Sequence, residues 1–341
     1  MINLSRRQLV QNIVMAGVAV PFKFQTRSLD FLADHNTNNS GLTDAQRFKL
    51  VRSVLDVLET YYSGMTLQFW NQPFDKIDFE KRITNIVYWV NVAVSQIESK
   101  YAVDPVWVMA QIMAESLFYE LAVSKSMAAG ICQIMPVTAV KEHNMVIAGS
   151  KISHHQAPYL KPELAASLSR YRQLLKEKNT FSRNSKAKAS FNLDRALHWL
   201  AEEKSGKQQA QDQLQRIKTL REYDKKIDSV KKDYLDYITT NIEVLGGRNI
   251  FKNEKFFIGF DERFSYKKPI FAMVSMLANA LRVRSGNILT AAAAYNAGLS
   301  RTWTNEVLYT QYGQLPNFDE TSRYISRVIA NYEEISKRFL A

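Results

Sequence analysis

Residues Met113–Ala139 read MAESLFYELAVSKSMAAGICQIMPVTA. One carboxylate, Glu115, closes an apolar run that begins at Asp104-Pro105, an N-cap followed by proline at the first helical position. Val106, Met109, Ile112 and Met113 recur at helical spacing, which predicts a helix over Asp104–Leu117. At about 100° per residue, Glu115 lies roughly 20° from Val108 and about 60° from Ile112, at the edge of the apolar stripe near the helix C-terminus. The macrodipole disfavours a carboxylate there, and apolar neighbours favour its neutral form. Both effects raise its pKa, and a carboxyl protonated near neutral pH is what a general acid requires. The same position also suits a half-exposed carboxylate that merely ends a helix, and the helix alone leaves both readings open.

The surrounding chain is ordinary in bulk and biased in charge. It has 341 residues, 46% hydrophobic and 23% charged, enough for a core of more than one domain. Glycine and proline are scarce, at 12 and 8, and the long 3.6-period stretches point to an all-α fold. A formal charge of +12 favours a polyanionic partner: nucleic acid, anionic lipid or an acidic wall polymer. The single cysteine, Cys132, excludes an intrachain disulfide and permits any compartment. At the N-terminus, Ser5-Arg6-Arg7 precedes a short apolar run from Ile13 to Val20. Residues 1–24 thus resemble a twin-arginine export leader, which implies a periplasmic or cell-envelope location. The run is too short for an ordinary membrane span.

Residues 25–42 are polar and read as a linker, and 43–79 as an N-terminal helical region. That region opens on Thr43-Asp44-Ala45-Gln46, a capping-box pattern, with Phe48, Val51, Val54, Leu55 and Leu58 following at helical spacing. A helix is predicted over 78–101, on Ile83, Ile86, Val87, Val90, Val94 and Ile97. Residues 146–267 form a charged helical insertion. Within it, 193–245 reads as long amphipathic helix, on Leu214, Ile217, Leu220, Ile227, Val230, Tyr234 and Ile238, stopped by Gly246-Gly247. Its mixed charges suit either a solvated face or a docking surface. Pro269–Val283, Leu289–Tyr295 and a last helix after Glu320-Thr321 complete the pattern.

Three blocks resemble the lysozyme-like domain of soluble lytic murein transglycosylases, related to goose-type lysozyme. The first is Glu115-Ser116, then Ser124, then Met127 to Gln133, then Met135-Pro136-Val137-Thr138-Ala139. The second is Ala294-Tyr295-Asn296-Ala297-Gly298, and the third Glu320-Thr321-Ser322-Arg323-Tyr324-Ile325. The resemblance implies a lysozyme-like (SLT) catalytic domain formed by 80–145 and 268–341. Two positions depart from the family pattern: Met127 stands where glycine is usual, and Cys132 where methionine is usual.

The resemblance implies cleavage of the MurNAc-β-1,4-GlcNAc bond in peptidoglycan glycan strands without water, leaving 1,6-anhydro-MurNAc ends. Glu115 would act first as acid on the glycosidic oxygen and then as base on the C6 hydroxyl, with the substrate acetamido group stabilising charge at C1. By the same resemblance Ser124, Gln133, Met135, Tyr295, Asn296 and Glu320 bind substrate, and no cofactor or metal is implied. Asn296 reads equally well as the cap of a helix end. Glu120 is read as lying on another face. Two alternatives stand beside this reading: a hydrolase of the same fold, and a docking component of a wall-spanning secretion system or virion, its envelope partner held by 146–267. Nucleic acid is not an expected partner.

Overall fold

Eleven α-helices, four short 3-10 helices and one hairpin of two-residue strands make up the regular structure of the described residues. The structure is a computed structural model that describes residues 33–34, 41–150, 159–185, 193–201, 205–243, 249–306 and 310–341. The leader expected at 1–24, most of the linker and the Gly246-Gly247 stop lie outside these residues. Among the described residues no helix is long and apolar enough to cross a membrane.

The described chain divides into two compact units, Met1–Val146 with Asn249–Ala341, and Ile147–Arg248. The second unit is shorter than the 146–267 segment set apart in the sequence, because Asn249–Lys267 sit in the first.

In the first unit α1 (Asp44–Tyr62) starts at a full capping box: Thr43 Oγ1 accepts from Gln46 N–H, and Gln46 Oε1 accepts from Thr43 N–H. Its buried face is Leu50, Val51, Ser53, Val54, Val57 and Leu58. Phe48, expected on that face, is 70% exposed. The hairpin strands β1 (Thr66–Leu67) and β2 (Gln72–Pro73) lead to α2 (Phe79–Gln96), capped by Asp78. It buries Ile83, Ile86, Val87 and Val90 as expected, but ends five residues earlier than the predicted 101.

The centre of this unit is α3 (Pro105–Ser116). Asp104 caps it, accepting from Val106 N–H at 2.8 Å. Every residue from Val106 to Ser116 is buried. A helix apolar on one stripe would leave a wet face; this one is enclosed on all sides. It packs against α2 and against the C-terminal helix α11 (Asp319–Leu340). Asn331 Nδ2 donates to Ala110 O at 3.2 Å, the Tyr332 hydroxyl donates to Asp104 at 2.8 Å, and the Trp107 and Tyr332 rings lie 5.1 Å apart. Between them come α4 (Pro136–Lys141), then, after the second unit, α8 (Glu254–Phe260), α9 (Lys267–Val283) and α10 (Ile288–Ala297).

The second unit is built on α5 (Ser167–Asn184) against α7 (Ser205–Ile242), with α6 (Leu193–Ala201) packed on α7. Within the amphipathic run read over 193–245, the described residues form α6 and α7. Ile227, Val230, Tyr234 and Ile238 are buried as their spacing predicts, whereas Leu214 is 57% exposed. Asn241 clasps Leu160 through both backbone groups, at 2.8 and 2.9 Å, and Lys161 pairs with Asp236 at 2.7 Å.

Candidate active site

Glu115 and Ser116 occupy the last turn of α3. Glu115 is 6% exposed, so the reading of a half-exposed helix-end carboxylate does not hold. The angular argument for a stripe edge fails for the same reason: an enclosed helix has no edge. The helix stops because Leu117 and Phe118 both adopt left-handed backbone, with φ of 49° and 61°. Trp70 Nε1 holds the Leu117 carbonyl at 3.2 Å.

The chain then folds back as a tight turn beside Glu115. Val123 bridges Ala129, which bridges Ile134. Ser116 Oγ donates to Ile131 O at 2.9 Å, tying the helix end to the turn. The Cys132 thiol is fully buried in that turn. Its pKa is pushed well up, first by burial and then by the charge of Glu115, so the two side chains share one electrostatic environment.

Gly130 shows why the turn requires glycine at one position. Its φ is +77°, and an added Cβ would lie 1.7 Å from the Arg263 carbonyl oxygen. Met127 also has left-handed backbone, with φ of +71°, which accounts for the usual glycine at this position. Its side chain is buried, so here methionine fills space at the cost of strain.

The expected site residues fall into two groups. Ser124 and Gln133 are buried and engaged by the turn itself. Ser124 Oγ accepts from Ala128 N–H at 3.0 Å, and Gln133 Nε2 donates to Gly130 O at 2.9 Å and Ala122 O at 3.2 Å. Met135, Tyr295, Asn296 and Glu320 are only partly buried. Met135 precedes α4, whose first residue is Pro136. Tyr295 and Asn296 end α10, and Glu320 lies in the first turn of α11, where the helix dipole favours an acid.

Two hydrogen bonds join the three sequence blocks. The Tyr295 hydroxyl donates to Cys132 O at 2.6 Å, linking the second block to the first. Thr321 Oγ1 donates to Asn296 Oδ1 at 3.0 Å, linking the third to the second. Asn296 therefore joins two helices rather than capping its own.

Sequence reasoning missed two buried ion pairs around this turn. Arg82 on α2 grips Glu120 with Nε and Nη2 at 3.0–3.2 Å, and Glu120 is 3% exposed. Burial raises the Glu120 pKa even against the attraction of Arg82. Arg82 also lies over the Trp70 ring, 4.9 Å from its centroid. The second pair, Asp261 and Arg263, carried no signal because it sits in a stretch already rich in charge. Among the described residues, no group of three or more His, Cys, Asp or Glu could hold a metal ion.

Comparison with known proteins gives one family. No curated protein and no solved structure matches the chain. Residues 93–213, roughly a third of the chain, match the family described as the Transglycosylase SLT domain. The matched stretch contains α3, Glu115 and the whole turn, and it runs on into the second unit. The blocks at 294–298 and 320–325 lie outside it. Together with the all-α architecture of the described residues, the match over 93–213 supports a glycan-cleaving domain similar to those of the lytic transglycosylases.

Proposed function

We propose that the protein is a peptidoglycan lytic transglycosylase that cuts the MurNAc-β-1,4-GlcNAc bond without water, with Glu115 as its single acid and base. The observation that carries this reading is the burial of Glu115 at the end of an enclosed helix, against a turn tied down by Ser116 and Tyr295. Burial penalises an ionised carboxylate, and the C-terminal turn of a helix adds to that penalty. Glu115 is thereby suited to hold a proton until the glycosidic oxygen takes it. The resulting carboxylate then removes the proton of the C6 hydroxyl as that oxygen closes on C1, giving the 1,6-anhydro end. The other carboxylate of the block, Glu120, is committed to Arg82 and is not available as a partner acid. The half-buried Tyr295, Asn296, Glu320 and Met135 are proposed to bind the glycan. A basic chain acting on an acidic wall polymer fits the +12 charge, and export to the envelope is proposed with it.

The test is Glu115→Gln, nearly isosteric but unable to donate the proton. Cleavage of isolated peptidoglycan should fall by at least about a thousandfold, with the circular dichroism and unfolding midpoint unchanged. Full activity in Glu115→Gln would falsify the assignment. Mass spectrometry of the products then separates the chemistries: anhydro ends support the lyase, and reducing ends the hydrolase.

A further inference from the structure

The turn beside Glu115 is held from a segment that the family match does not reach. Asp261 and Arg263 are both 0% exposed and form a fork. Asp261 Oδ2 accepts from Arg263 Nη2 at 2.7 Å, and Oδ1 accepts from Nε at 2.9 Å and from the Arg263 backbone N–H at 3.1 Å. That leaves Nη1 to donate to Met127 O at 2.8 Å and Ile134 O at 3.2 Å. These carbonyls stand at the two ends of the turn. Between them, the Arg263 carbonyl lies where a Cβ at Gly130 would be. One residue therefore closes the mouth of the turn with its side chain and backs it with its main chain.

Burying an ion pair is expensive, and an apolar pair of similar volume is often as stable. What the apolar pair lacks is direction: a planar guanidinium fixes two carbonyls relative to one carboxylate. We propose that Arg263, oriented by Asp261, is a positioning residue for glycan cleavage, setting the Met127–Ile134 turn against Glu115. This rests on the reading of Glu115 as the acid. Arg263 acts through the turn: its far side, at Cys132, is held by Tyr295 and shares the field of Glu115.

The chain supplies its own reporter, since Cys132 is its only cysteine and is fully buried. The experiment uses the full chain with Arg263→Lys, and Asp261→Asn as a second variant should the first fail to fold. Native-state labelling of Cys132 by a disulfide reagent is compared with global stability from urea unfolding. Labelling should rise about tenfold beyond what the change in global stability accounts for. In parallel, kcat on peptidoglycan glycan per folded molecule should fall about tenfold, with KM changed less than about twofold. Labelling that merely follows global unfolding, or a wild-type kcat per folded molecule, overturns the proposal. The parent reading fails by a different sign: Glu115→Gln cleaving as fast as the unsubstituted chain, whatever the Arg263 variants do.

Discussion

Met127 sets two costs against each other at one position. Left-handed backbone costs a residue with a Cβ roughly 1–2 kcal/mol, while removing a buried methionine side chain costs about 2–5 kcal/mol. The side chain outweighs the strain, so both Met127→Gly and Met127→Ala should lower the urea midpoint. Alanine loses the packing and keeps the strain, whereas glycine loses the packing and sheds the strain. Met127→Gly should therefore be the more stable of the two by about 1 kcal/mol, the reverse of the usual order in regular structure. Equal midpoints would show that φ at 127 relaxes on substitution. Glu115 was legible as a residue to watch, but its burial was not. Spacing along one helix reports which side chains share a face, and says nothing about how many faces are covered.

At the scale of elements, the pairing of α3 with α11 places an acid where burial opposes it. The Asp104 pKa is raised above its ordinary 3.8, chiefly by burial, although hydrogen bonds from Tyr332, Val106 and Trp107 pull the other way. A raised folded pKa means that the folded state holds its proton longer. The contribution is full below the unfolded value and is lost as pH rises through the folded one. Asp104→Asn keeps an N-cap acceptor and stays neutral. Its stability relative to the unsubstituted chain should therefore improve as pH rises from about 3.5 to about 6.5. A difference flat across that range in urea unfolding would contradict the raised pKa. The Arg82–Glu120 pair between α2 and the segment after α3 predicts a larger effect. Arg82→Met strands a buried carboxylate and should cost about 3–5 kcal/mol, most of it recovered when Glu120 is replaced by leucine as well. Such pairs escape a sequence reading because Arg82 and Glu120 stand 38 positions apart on unrelated elements. Local signals fared better: the capping box at Thr43 and the Asp104-Pro105 start both hold, because caps are decided within a few residues.

For the whole molecule, helical periodicity disclosed the all-α class, and the first of the three short blocks lies within the stretch that matches the SLT domain. The limits of the second unit were less legible. The segment 249–267 has the same charged texture as the residues before it, yet it contributes Phe257, Phe260, Phe264 and the Asp261–Arg263 pair to the buried part of the first unit. The excess of positive charge predicts a bulk property. Retention on isolated sacculi should fall severalfold between about 0.05 and 0.5 M NaCl, as the Debye length shrinks from roughly 14 Å to about 4 Å. Retention indifferent to salt would place the affinity in uncharged contacts instead.

The polar groups of Ser124 and Gln133 are turned inward, onto amides and carbonyls of their own loop. The letters that make such a chain recognisable are therefore largely a record of how a loop closes, and they would persist in a descendant that had lost its reactivity. On the proposed mechanism, a paralogue with the same loop letters and glutamine or alanine at position 115 would close the loop as this chain does and lack the proton donor. Reactivity thus turns, on that mechanism, on the letter at 115, which opens the first block, and not on the loop letters that follow it.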